Sequence, residues 1–459
     1  MPITGQLLPG VKDPVIPAYN VANSVRYNDG DSPKLNINFG SDGTLNKWTF
    51  SMWFKRSTLG TAQRLFCVLD SGMDDYIKFG TDDQLEWTFD NEDGSNKGVL
   101  KTNRKFRDVS AWTHLLCRLD TTDGTAGDRM RMYINGTEET SFATDTNPTQ
   151  NETGDIGRDN NHYIGTSGSS QYFDGYIAEV CMINNQSLAP TSFGEFDSDT
   201  PSVFKPIDVS GLTAGTNGFY LDFEDSSSLG NDVSGNNNDF TANNLTAVDQ
   251  SLDTCTNNFA TWNPLFATQN PGTFSEGNCI YTSSTSAWGG TGSTIGLSSG
   301  KWYWEGKIKF DNLGGHFFGV LDETVNVNNN PHQRIGTTLF YGASGGQMYK
   351  DGSGSGSYGT FSNGDVMGFA LNVDDGEISI YKNGSAIVTD FALSTTKNTL
   401  FVWGMAYNSG ADFVKVNFGG SPPFTISSGN ADANGYGNFE YAPPSGYYSI
   451  CTKNLSEFG

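Results

Sequence analysis

The chain has 459 residues, room for about three ordinary domains or two large all-β ones. Gly supplies 56 residues, hydrophobics make up 36% and aromatics 13%, so the chain is rich in turns yet has the large side chains a core needs; disorder throughout is excluded. With 27 Lys and Arg against 51 Asp and Glu, the formal charge of −24 offers polyphosphate and anionic lipid no overall attraction.

The N-terminal segment MPITGQLLPG has neither a basic stretch nor an uninterrupted apolar run, so it does not read as a signal peptide. Pro2, Pro9, Pro14 and Pro17 forbid a central strand there, and residues 1–22 read as an extended attachment arm. From LNINF (35–39) onward, period-two alternation dominates. In KWTFSMWFKRS, Trp48, Phe50, Met52 and Phe54 share one face, with Thr49, Ser51 and Lys55 on the other. HLLCRLD (114–120), RMRMYI (129–134) and YIAEVCMI (176–183) read the same way, and a short helical turn is expected near Ala189–Phe196. The Gly/Asn-rich stretch 227–244 reads as loop. Alternation resumes in KWYWEGKIKF, where Trp302, Trp304, Ile308 and Phe310 oppose Lys301, Glu305, Lys307 and Lys309. KDGSGSGSYG (350–359) reads as a flexible surface loop, followed by strands at EISIY (377–381) and VKVNF (414–418). MYINGTE (132–138) and IYKNGSA (380–386) each carry Tyr-x-Asn-Gly, the signature of a type I′ hairpin, which points to two related halves. The pattern specifies an all-β chain of antiparallel sheets, each with one apolar face. No apolar run reaches the ~18 residues that span a bilayer, so membrane insertion is not expected.

Cys67, Cys117, Cys181, Cys255, Cys279 and Cys451 are scattered without a C-x-x-C pair, three of them in strand-like contexts. They read as buried free thiols of a protein made in a reducing cytoplasm.

Two resemblances follow from these segments. WTFSMWFKRS (48–57), WTHLLCRLD (112–120), RMYING (131–136), YIGTS (163–167) and FDGYIAEVCMINNQSLAP (173–190) make the first half resemble the laminin-G-like, concanavalin-type jelly roll. GKWYWEGKI (300–308), FFGVLDE (317–323), GDVMGFALNVDDGEISIYKNG (364–384) and VKVNFGGSPPF (414–424) make the second half resemble a SPRY-type sandwich. GFYLDFEDSSSLGNDVSGNNNDF (218–240), DTCTNNFATWNPL (253–265) and APPSGYYSICTKNL (442–455) resemble segments of tail-fibre and appendage proteins of bacteriophages, particularly marine ones. Together they imply two concanavalin-like jelly-roll β-sandwiches in series. The expected boundaries are an arm (1–22), a laminin-G-like sandwich (23–198), a connector (199–258), a SPRY-like sandwich (259–441) and a C-terminal tail (442–459).

Candidate chemistry is sparse. Jelly-roll glycanases place two carboxylates on one strand face. Asp222 with Glu224 and the lone Glu377 are the nearest approaches, and neither completes that pattern. His114, His162, His316 and His332 lack metal-ligand spacing. Asp232, Asn236 and Asp239, with Asp159 and Asn160 as a second group, could supply oxygen ligands to calcium, although the same residue types also form plain turns. For sugar binding, the off-strand aromatics Trp288, Tyr341, Tyr349, Tyr358 and Tyr407 are the candidates, with Tyr349 and Tyr358 expected to bracket the flexible tract.

The resulting expectation is a non-enzymatic phage virion appendage protein that binds host surface glycans by avidity. It requires no cofactor, calcium being the one candidate. It joins other virion proteins through its arm as a homo-oligomer, and it reaches the virion surface after synthesis in the host cytoplasm. A purely structural virion protein and a secreted glycan hydrolase are the alternatives.

Overall fold

The computed structural model describes residues 19–69, 75–91, 96–269, 272–283, 288–308, 315–328, 330–342, 346–359, 361–407 and 413–459. Residues 1–18 of the expected arm lie outside them.

Alternation is realised as read. Trp48, Phe50, Met52 and Phe54 all enter one apolar core, where they meet Leu85, Trp87 and Phe89 from a facing sheet. Residues 19–256 form this first unit, a sandwich of two large antiparallel sheets. Sheet I runs, in spatial order, Thr137–Glu138, Met130–Ile134, Thr113–Asp120, Lys47–Arg56, Gly175–Asn184, Ser24–Tyr27 and Gln250–Ser251, and Phe219–Leu221 also pairs with Gly175–Asn184. Sheet II runs Phe142–Thr146, Asn96–Lys105, Gln84–Asp90, Tyr76–Phe79, Gln63–Val68, Asn161–Ile164, Lys34–Asn38 and Thr241–Asn243.

Residues 257–459 form the second sandwich. Its sheet III runs Trp262–Ala267, Trp288–Leu297, Leu400–Tyr407, His316–Asp322, Thr337–Tyr341, Gln347–Lys350 and Ser353–Ser355. Sheet IV runs Thr273–Ser275, Ile280–Thr282, Phe413–Asn417, Lys301–Ile308, Val366–Asn372, Glu377–Lys382 and Ser385–Ala392. Both Asn-Gly hairpins form as expected. Asn135 and Gly136 have φ of 48° and 72°, Asn383 and Gly384 of 48° and 78°, the left-handed pair a type I′ turn requires.

Two stretches that read as linker and tail are parts of the sandwiches. The 199–258 segment supplies a strand beside Gly175–Asn184, one beside Lys34–Asn38 and one beside Ser24–Tyr27. The C-terminal stretch sends Tyr448–Ser449 parallel to Lys301–Ile308, buries Ile450 in the core and ends in Thr452–Phe458, the one α-helix among the described residues. The short helical turn expected near Ala189–Phe196 forms as a 3-10 turn, Pro190–Ser192, and leads into the short strand Gly194–Phe196.

For sheet I the expectation of one apolar and one solvated face fails for this reason. Thr49, Ser51 and Lys55 are as buried as their apolar neighbours, because the 199–256 segment covers the outer face of sheet I. There the Thr49 hydroxyl donates to the Gln186 carbonyl at 2.9 Å, and Ser51 Oγ meets His114 Nε2 at 2.9 Å, so both buried hydroxyls are paired. A β-bulge between Ala178 and Cys181 turns Glu179 (φ 51°) onto the same face. Its carboxylate accepts the hydroxyls of Tyr220 at 2.7 Å and Tyr19 at 3.2 Å, tying the start of the described chain to the sheet. Glu305 behaves likewise on sheet IV. It is fully buried, and its carboxylate accepts the backbone N–H groups of Glu440 (2.9 Å) and Tyr441 (2.8 Å).

All six cysteines are free; five are buried and Cys255 is half-buried. Titration of the native protein with a disulfide reagent should therefore count no more than one fast thiol, and denaturation should release the other five. Two or more fast thiols before unfolding would contradict the packing.

Candidate functional site

Strands of sheet III present large side chains in both phases. Phe318, Val320, Phe340, Met348, Val402 and Ala406 point into the sandwich core. The alternate residues Phe317, Leu321, Leu339, Trp403 and Met405 form a second apolar layer on the outer face, joined by half-buried Trp288, Tyr341 and Tyr349. Register aligns this layer: Trp288 pairs with Tyr407, Phe317 with Tyr341, and Leu339 with Tyr349.

The rings are contiguous. Trp288 lies 5.2 Å from Tyr407 and 5.1 Å from Phe317, centroid to centroid. Phe317 in turn lies 4.7 Å from Tyr341 and meets Tyr349 edge-on at 5.1 Å. His332 folds back from the turn Pro331–Gln333, stacks on Phe317 at 4.9 Å and 19°, and stands 5.2 Å from Trp288. Burial pulls the His332 imidazole below its ordinary pKa, which favours the neutral ring near pH 7, and its Nδ1 has no hydrogen-bond partner among the described residues. Tyr349 also depends on Gly354 across the hairpin. A Cβ at that position would stand 2.9 Å from the Tyr349 ring, so glycine there lets the ring lie flat over the edge strand.

Four of the five aromatics singled out in the sequence thus come together, and all of them stand on strands. The fifth does not join them. Tyr358 packs against the main core cluster, and KDGSGSGSYG is a paired hairpin in which Ser353–Ser355 lies along Gln347–Lys350, so Tyr349 and Tyr358 do not bracket a flexible segment. Phe317 and His332 were missed, because the Phe317–Phe318 pair shows only that one of two adjacent rings faces the core. A strand apolar in both phases, as FFGVLD is, was the available signal that sheet III is covered on both sides.

The oxygen-rich candidates are engaged elsewhere. Asp232 accepts the backbone N–H groups of Tyr220 and Ser234 on Oδ1 and that of Asn238 on Oδ2, each at 2.9 Å. Asp239 accepts Asp232 N–H at 2.8 Å, and Asn236 donates to the Gly218 carbonyl at 2.9 Å. These residues organise a turn, as Asx side chains do. Asp159 N–H donates to Asp42 Oδ1 at 2.9 Å, and Asn160 N–H to the Arg158 carbonyl. Among the described residues no group of three His, Cys, Asp or Glu is placed to hold a metal ion. Asp222 accepts Glu224 N–H at 3.1 Å in a turn around Phe223 (φ 61°), so this acid pair lies beyond the end of Phe219–Leu221 and not on a strand face. Glu377 Oε1 accepts from Asn372 at 3.4 Å.

Comparison with known proteins agrees with this architecture. Residues 29–191 match the Laminin_G_3 family, described as the concanavalin A-like lectin/glucanases superfamily, and residues 301–421 match the SPRY domain. No curated protein matches the chain. Among solved structures, the SPRY domain of human HERC1 is 24% identical, covering 34% of this chain and 96% of that one with a TM-score of 0.30. A heptameric SAP-like pentraxin from Limulus polyphemus is 15% identical, covering 38% and 80%, TM-score 0.28. A protein of Bacteroides ovatus described as a candidate carbohydrate-binding protein is 14% identical, covering 50% of this chain and 60% of that one, TM-score 0.34. The chain is an all-β protein that carries a concanavalin-like domain followed by a SPRY domain.

Proposed function

We propose that this chain, a laminin-G-like sandwich followed by a SPRY sandwich, is a non-enzymatic glycan-binding protein. The observation that carries the reading is the contiguous, half-buried ring surface of Trp288, Tyr341, Tyr349 and Tyr407 on sheet III. Sugar rings have apolar C–H faces that stack on such surfaces, each ring contributing on the order of 1 kcal/mol. A His332 whose Nδ1 has no partner among the described residues stands beside these rings and supplies a polar group for a hydroxyl. One such site is weak, at about millimolar affinity for −4 kcal/mol, and becomes useful through repetition in an assembly.

The finer reading is a virion appendage of a bacteriophage that attaches to host surface glycans, assembled as a homo-oligomer through its N-terminal arm, of which Tyr19 and Val21 dock on the first sandwich. It rests on the resemblance of 218–240, 253–265 and 442–455 to such proteins.

A panel of bacterial surface polysaccharides immobilised on a sensor tests the binding. Trp288→Ala and Tyr407→Ser should each weaken retention about tenfold, measured at a temperature where both variants remain folded. Tyr358→Ala, on the core side, should lower stability and leave the affinity of the folded protein unchanged. Retention of none of the panel, or equal retention of the wild type and the sheet III variants, would overturn the reading.

A further inference from the structure

One polar contact on the covered face of sheet I has the parts of a bond-forming reaction. Lys55 Nζ, on the strand Lys47–Arg56, touches Asp253 Oδ2, on the segment that closes this face 198 residues further along the chain. Each of the two side chains is 1% exposed. The backbone of Asp253 is pinned: its carbonyl accepts the Ser24 hydroxyl at 2.6 Å, and its N–H donates to Ser251 Oγ at 3.1 Å. Its other carboxylate oxygen, Oδ1, accepts the Trp112 indole N–H at 3.0 Å. The Lys55 ammonium stands 4.9 Å from the Tyr176 ring, and Trp112 and Tyr176 belong to one apolar cluster with Trp53, Ala178 and Phe204.

The two carboxylate oxygens therefore differ. One faces an amine and the other a fixed hydrogen-bond donor. Ion pairs near water do not react, because hydration holds both charges and the side chains turn freely. Here water is excluded, and two groups fixed in contact react with effective molarities on the order of 10⁵–10⁸ M. Other pairs in the protein lack one of these conditions. Lys205 beside Asp197 and Lys78 beside Glu86 are 17% and 21% exposed, and buried Arg56 meets Asp83 with a guanidinium, which stays charged and is a poor nucleophile.

We propose that Lys55 and Asp253 condense into an intramolecular amide, a covalent cross-link between sheet I and the segment that seals it. One proton passes within the contact from the ammonium to Oδ2. The freed Nζ lone pair attacks Cγ, and negative charge gathers on Oδ1, where the Trp112 N–H already points. The Cγ–Oδ2 bond then breaks, and Oδ2 leaves with a second Nζ proton as water. Nζ keeps the third proton as the amide hydrogen, so atoms and charge balance with no oxidant or co-reactant. All six cysteines are free, and this amide gives the first sandwich a covalent tie that reductants do not cut. The inference does not depend on the ring surface of sheet III.

Intact mass spectrometry of the full chain, folded and then denatured for the measurement, tests it. The mass should fall short of the sequence by one water, and peptide mapping should recover a branched peptide that joins Lys55 to Asp253. Lys55→Arg, which keeps the positive charge, should have the full mass of its own sequence. Trp112→Phe keeps a ring and removes the donor, and in the folded variant the cross-linked share should fall at least about tenfold. An equal share there would overturn the role given to the indole. Asp253→Ala and the double variant Lys55→Met, Asp253→Leu both lack the amide, so the difference in stability between them reads the buried charge alone. The proposal is overturned if the wild-type chain has its full mass, if Lys55→Arg loses water as the wild type does, or if the missing water maps to a succinimide at an Asp-Gly step such as Asp123–Gly124.

Discussion

Asp253→Ala should cost the first sandwich about 3–5 kcal/mol, the penalty for leaving a buried charge without its partner. Asp253 and Lys55 are each about 1% exposed and form an ion pair on the covered face of sheet I. The carboxylate also accepts Trp112 Nε1 at 3.0 Å, and the Lys55 ammonium sits 4.9 Å from the Tyr176 ring. Removing the carboxylate takes the ion-pair partner from a buried ammonium and the acceptor from the Trp112 indole N–H. For a unit of this size the melting temperature should fall by roughly 10 °C or more. The double variant Lys55→Met, Asp253→Leu should lose much less, since replacing both charges by apolar groups removes the desolvation cost. Two-transition calorimetry reads this directly. An Asp253→Ala loss within about 1 kcal/mol would mean that the pair is solvated and that the 199–256 segment does not seal the sheet.

Glu305→Ala should be nearly as damaging to the second sandwich, by about 3 kcal/mol. It would leave the backbone N–H groups of Glu440 and Tyr441 and the Asn417 amide facing a void. The same residue makes stability depend on pH. Burial pushes the Glu305 carboxyl up to about 7 from its ordinary 4.5, against the opposing pull of the two backbone N–H groups. The folded state therefore holds this proton more tightly than the unfolded chain does. The contribution is complete below about pH 4.5 and is lost as pH rises to about 7, by at most about 3 kcal/mol. Glu179 is pushed up to about 7 by burial as well, so the first sandwich should follow the same direction. Asp322 and Asp365, held below the usual carboxylate range, act in the opposite sense, and only at lower pH. Glu305→Gln should flatten the slope of the second transition between pH 4.5 and 7 and leave that of the first. A slope unchanged by this substitution would assign the pH dependence to other groups.

Strand positions, inward-facing residues and both Asn-Gly hairpins were legible in the residues themselves. A two-residue repeat and a left-handed dipeptide are local properties that need no knowledge of distant chain. The five ring residues could be named as candidates for the same reason, but not sorted. Tyr349 and Tyr358 sit nine positions apart in a Gly-rich run, and only strand pairing places one on the outer face of sheet III and the other against the core. Coverage of sheets I and IV was equally invisible. Lys55 and Glu305 occupy the polar phase of alternating strands, which normally faces water, and each is buried by chain about 200 or 135 residues away. Burial of a polar phase depends on long-range partners that satisfy it, here Asp253 and the backbone of 440–441. The residues alone therefore determined the all-β sandwiches and their cores. Tertiary structure decided which polar phases are sealed and which aromatics meet.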